Sequence, residues 1–335
     1  MSSDQLLPLP LSPQEWDTMF TLPSPRQTTD HAALKTTPLF NAQLPTPPSS
    51  DEGEEGERDS NTVVSVSAAF HPGAQLHAQP PDMILVSSDS VWFYVHTQTL
   101  AISTNDFHGV LHNPGNPENP PIIPLPEASA ELNVLLHSLY NMSAAPYSPS
   151  PANVAAALDA LHKYGMNPIT FTAPHSPLFL LMIRLASMNP LECFAIAAER
   201  SMHDLLTAIS SFLLACHLPD VTDEQATRIG PLYLKRLFFL HLGRMDALKR
   251  ILLPPPASHP PSLTCDYVEQ KQLTRAWALA TAYLAWEAKP DISIPSIEAA
   301  LRPLGEHLSC AQCQGLLRER ISNLVVQWSL VKRTI

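Results

Sequence analysis

The sequence predicts an α+β fold with a short three-stranded sheet, followed by an all-α region, and three observations carry that reading. A short apolar run, Met83-Ile84-Leu85-Val86, and a β-branched and aromatic run, Val91 to Val95, flank a Ser87-Ser88-Asp89-Ser90 turn, the pattern of a hairpin. From Ala128 onward the apolar residues recur at helical spacing. Proline is the third: there are 35, with nine in the first 50 residues, about twice the usual share of roughly 5%. Each lacks an N–H and resists helix and sheet interiors. Together they divide the chain into a proline-rich acidic tail (1–64), a sheet-and-helix unit (65–185) and a helical region (186–335).

The tail is predicted to be disordered. Asp51 to Asp59 adds six acidic groups against one arginine, and such a segment buries too little apolar surface to offset its ordering entropy. One island differs. Ser12, Pro13 and Glu15 form a helix-start signature, and Trp16, Met19 and Phe20 then share a face at i, i+3, i+4. This is either a chance cluster or a docking helix that folds into a partner's groove. Ser12, Ser24, Thr37 and Thr46 each precede proline, where phosphorylation would add charge.

The folded part is expected to begin near Pro80 with the hairpin. Leu100, Phe107, Val110 and Leu111 suit two short helices, and Ile122-Ile123-Pro124-Leu125 an edge strand, where proline is tolerated. Helices follow over 128–140, 154–166, 178–187, 191–202 and 205–217. A long helical stretch over 223–253 carries Pro231, where a break is expected. Helices over 273–286, 297–304 and 307–331 complete the chain, with Trp277, Tyr283 and Trp286 read as core packing.

Composition excludes several functions. The net charge is −11, of which residues 1–60 hold 10 acidic against 3 basic groups; nucleic-acid binding needs a basic face. No two glycines are two residues apart and no Gly-Lys-Ser/Thr occurs, which removes the dinucleotide fingerprint and the phosphate-cradling loop. Zinc-protease and nucleophile-elbow motifs are missing as well. The best apolar run, Ala276 to Trp286, is too short to span a bilayer, and the proline-broken start does not read as a signal peptide. We expect an intracellular protein, cytoplasmic or nuclear, with reduced thiols.

His307, Cys310 and Cys313 stand at i, i+3, i+6. Imidazole and thiolate at this spacing suit zinc, with Cys265 or His259 completing four ligands. Against that, cysteine is among the most buried residues, and a lone Cys-x-x-Cys also describes small sulfur groups filling a core or a redox pair. We read the group as core filling and assign no metal, cofactor or catalytic residue. His108 and His112, an i, i+4 pair with no acidic third ligand, read as surface histidines.

Asp82 to Asp89, then Phe93-Tyr94-Val95-His96, Leu100-Ala101 and Phe107, resemble the opening of a BTB/POZ domain. More narrowly, Tyr233-Leu234-Lys235-Arg236-Leu237, Leu240-His241, Arg244 and the Cys310/Cys313 pair resemble the large fungal, basidiomycete-type group of BTB proteins with a helical C-terminal region. The resemblance implies a non-catalytic interaction protein, dimerising or heteromerising with itself or another BTB protein. It also implies structural roles for Asp82, Phe93, His96, Leu100 and Phe107. Thr104 stands where the family has a helix-starting serine, and threonine caps nearly as well. Leu111-His112-Asn113 lacks the glutamate of the cullin-recruiting members. A cullin-ligase substrate adaptor and a transcription-linked scaffold using the acidic tail are the alternatives. Some relatives carry a second Cys-x-x-Cys upstream, where this chain has Ser262 and Cys265.

Overall fold

The computed structural model describes residues 64–103, 107, 109, 111 and 118–335. Trp16, Met19 and Phe20, the helix-start signature before them, Thr104 and the His108/His112 pair therefore lie outside the described residues.

The hairpin pairs β2 (Met83–Val86) with β3 (Val91–Val95) antiparallel, in the register Met83↔Val95, Ile84↔Tyr94, Leu85↔Phe93 and Val86↔Trp92. Ser90 closes the turn at a positive φ of 62°, and its N–H donates to the Ser87 carbonyl at 2.9 Å. The sheet has one strand more than expected. β1 (Ser65–Val66) runs parallel to β3, and β4 (Ile122–Pro124) runs parallel to β2, giving the order β1-β3-β2-β4 among the described residues. Pro124 sits on an outer strand, where its missing N–H costs no ladder bond. The folded part also begins earlier than Pro80, because Phe70 is fully buried against Phe93, His137 and Tyr140.

α1 (Thr97–Ser103) follows β3 directly. Beyond β4 come α2 (Ser129–Leu139), α3 (Pro151–Lys163), α4 (Pro168–Phe171), α5 (Pro177–Ala186), α6 (Pro190–Glu199) and α7 (His203–Ser210). Four of these begin on proline directly after Ser150, Asn167, Ser176 or Asn189. Proline suits the first helical position, where its absent N–H has no partner to lose. Three of the four preceding side chains cap the new helix: Ser150 accepts from Asn153 N–H at 3.1 Å, Asn167 from Ile169 at 3.1 Å and Ser176 from Phe179 at 3.2 Å.

α8 (Asp223–Leu252) carries the break expected at Pro231: Gly230 leaves the helical region at φ 76°, ψ 160°. α9 (Tyr267–Trp286), α10 (Ile294–Leu301) and α11 (Ala311–Ser329) complete the chain. α11 starts four residues later than the spacing of His307 implied, after a 3-10 turn at Arg302–Gly305. In α9 the buried residues are Gln270, Leu273, Trp277, Thr281 and Leu284. Tyr283 and Trp286 fall off that stripe and are 61% and 86% exposed, so of the three aromatics expected in the core it takes Trp277 alone.

Two buried clusters result. The first runs from Phe70 through the sheet and α2–α7 to Leu237, so residues on both sides of position 186 share one core. The second gathers Leu248 and Leu252 with α9, α10 and α11. Both draw on α8.

Candidate metal centre

The second cluster contains the chain's densest gathering of ligand-type side chains among the described residues. His259 and Cys265 lie on the proline-rich connection between α8 and α9, while Cys310 and Cys313 lie at the start of α11. Their donor atoms all lie within 4.8 Å of one another. His259 Nε2 is 3.2 Å from Cys313 Sγ and 3.3 Å from Cys310 Sγ, and the sulfurs of Cys265 and Cys313 are 3.7 Å apart. Cys265, Cys313 and His259 are buried and Cys310 is half-buried.

Each donor has a local cause for its position. Cys310 is the extended residue before α11, at φ −81° and ψ 117°; its sulfur stands near the backbone N–H groups of Gln312 and Cys313 without making a cap hydrogen bond. The Cys313 N–H is the main reason the Cys310 thiol is pushed down to about 7. Burial acts oppositely on the other two thiols, raising Cys313 and pushing Cys265 up to about 12. Cys265 is held by a two-bond turn with Ser262, N to O at 2.9 and 3.3 Å. Its neighbour Asp266 caps α9, accepting from Val268 and Glu269 at 2.8 and 3.0 Å. His259 donates from Nδ1 to the Pro260 carbonyl at 2.8 Å, because a carbonyl only accepts; Nε2 therefore keeps its lone pair toward the sulfurs. Gln270 of α9 donates to the His259 carbonyl at 3.0 Å.

The set differs from the sequence reading in two ways. His307 is exposed and outside the group, since the helix that would have aligned it with Cys310 has not yet begun there. His259 and Cys265, weighed as alternatives for one place, are both present. Ser262 is off the cluster, and His259, three residues upstream, supplies the fourth donor.

Asp82, Phe93, His96, Leu100 and Phe107 lie in the sheet-and-helix part, in or beside the first cluster. Asp82 Oδ1 accepts from the Thr97 N–H at 2.7 Å, at the start of α1. Phe93, Leu100 and Phe107 are buried, and Phe107 stacks on Tyr164 at 4.3 Å. His96 Nε2 donates to the Gln79 carbonyl at 3.0 Å, so Nδ1 accepts from the Tyr140 hydroxyl at 2.9 Å. That hydroxyl oxygen also accepts from the His96 backbone N–H at 2.8 Å. Burial lowers the His96 pKa and pushes Tyr140 up to about 12.

No protein-family model matches the chain, and no curated protein or solved structure matches it either. No helix among the described residues is long and apolar enough to cross a membrane.

Proposed function

We propose that this chain is a non-catalytic association protein whose sheet-and-helix part, residues 65–185, pairs with a second unit of the BTB/POZ type, in the first place its own copy. The observation that carries this reading is the element order: hairpin, helix, edge strand and two further helices, as the resemblance at Asp82–His96 implies. It is supported by apolar side chains left in solvent at the margins of this part. Ile102 on α1 is 79% exposed, Ile122 on β4 54%, and Val66 on β1 39%. Apolar surface of this kind has a self-complementary use in a two-fold pair.

Sedimentation velocity of the full chain at micromolar concentration tests it. The expected result is a dimer that Ile102→Asp converts to a monomer with unchanged helix content. A monomer at every concentration would overturn the reading.

A further inference from the structure

The connection between α8 and α9 has little of its own to hold it. It contains Pro254, Pro255, Pro256, Pro260 and Pro261, which cannot donate backbone hydrogen bonds. Its buried side chains between Leu253 and Asp266 are those of Pro256, His259 and Cys265. Two of those three meet the two sulfurs at the start of α11.

We propose that His259, Cys265, Cys310 and Cys313 bind one Zn²⁺, which fastens the α8–α9 connection to the N-terminus of α11. Three of the six donor spacings lie close to those of a tetrahedral ion, and all six are within 4.8 Å. Zn–S bonds of about 2.3 Å and a Zn–N bond of about 2.0–2.1 Å put two sulfurs about 3.8 Å apart and sulfur about 3.5 Å from nitrogen. The chain has 3.7 Å between the Cys265 and Cys313 sulfurs, and 3.2 and 3.3 Å from His259 Nε2 to the sulfurs of Cys313 and Cys310. A disulfide would need about 2.05 Å, and all five cysteines are free.

The chemistry narrows the ion. Three thiolates and an imidazole are a structural zinc donor set, softer than calcium or magnesium sites accept. Four protein donors leave no position for water or substrate, so the ion's role is structural. The surroundings are those of a ligated histidine: Nδ1–H is spent on the Pro260 carbonyl, which fixes the tautomer and aims Nε2. The clamp joins residues 48 apart in sequence, Cys265 and Cys313, and such a closure draws its folding free energy from metal binding.

Elemental analysis of the full chain, purified reduced and desalted after zinc supplementation, provides the test. The expected content is about one zinc per chain, lost in Cys265→Ser and Cys313→Ser. It should be retained in Cys193→Ser, whose thiol is buried in the first cluster, and in His307→Ala. Because loss of a ligand can itself unfold the chain, His259→Cys gives a second arm: a four-thiolate site should still bind Co²⁺, with stronger sulfur-to-cobalt absorption than the parent. Zinc below a tenth of an equivalent, zinc unchanged in Cys313→Ser, or a Cys265–Cys313 disulfide by mass in the protein as purified would each overturn the proposal. Loss of zinc on His307→Ala with retention on His259→Ala would overturn the ligand set.

Discussion

His137 on α2 sits edge-on to the Phe70 ring, 5.1 Å away, with Tyr147 at 5.0 Å. Its Nδ1–H donates to the Asn133 carbonyl at 2.7 Å. Burial disfavours the cation and lowers its pKa below the ordinary 6.5. Below 6.5 the unfolded chain therefore binds the proton that the folded chain refuses. The contribution to stability is fully present above 6.5 and is lost as pH falls through that value toward the lower folded one. His96 and His241 are shifted the same way by burial, so they act in the same direction. Ring-proton NMR should show His137 titrating below 6.5, with the unfolding midpoint falling over the same window; a His137 pKa above 6.5 would contradict this. Residues of this kind are hard to read from sequence. His137 stands one helical turn after Asn133 in an otherwise apolar helix face, and nothing local announces that Phe70, far upstream, will cover it.

Among the elements, the prolines show how a compositional signal can mislead and still be informative. Prolines, which resist helix interiors, instead open α3 to α6, because each follows a Ser or Asn in extended or non-helical backbone. The paired residues, not the proline count, carry that information. Pro231 was legible because it falls inside a long helical period, and its effect lands on the residue before it. Proline disfavours the helical region at the preceding position, and Gly230 answers by taking a positive φ. Gly230 and Gly243 lie in the same element, α8, and neither has an atom within 4 Å of an added Cβ; they differ in backbone alone. Gly230→Ala should therefore lower stability by about 1–3 kcal/mol through strain at positive φ. Gly243→Ala should raise it by about 0.5–1 kcal/mol, as expected for glycine in a helix interior. Denaturant unfolding of the two variants checks both, and equal shifts would remove the argument. The same logic explains the misplaced His307. Its i, i+3, i+6 spacing presumes a helix that the Arg302–Gly305 turn postpones.

At the scale of the whole molecule, the question is what makes two buried clusters behave as one structure. The candidate site was partly legible because Cys310 and Cys313 stand three residues apart, with Cys265 or His259 as candidates to complete it. The rest depends on a proline loop returning across 48 residues, which no local pattern encodes. The clusters are joined by α8 and by a closing segment: the Ile335 N–H donates to Ser210 Oγ of α7 at 3.1 Å. Arg244, buried in α8 between Leu237 and Leu248, pins that segment. Its Nε donates to the Pro290 carbonyl at 2.6 Å, and Nη1 to the carbonyls of Val331 and Lys332 at 2.9 and 3.0 Å. The guanidinium lies 4.3 Å over the Trp328 ring. Lysine keeps the charge but has a single nitrogen and no planar fork, so it cannot serve three carbonyls on two segments while stacking on the indole. Hydrogen bonds to a charged group are worth about 1.5–3 kcal/mol each, and at least one is lost outright. Arg244→Lys should therefore lower stability by about 1.5–3 kcal/mol. By freeing residues 331–335, it should also let the second cluster melt ahead of the first. Scanning calorimetry would then show a broadened or split transition. Hydrogen exchange would assign the earlier event to α9–α11, and a variant melting as one sharp transition at the parent temperature would show that α8 alone couples the two cores.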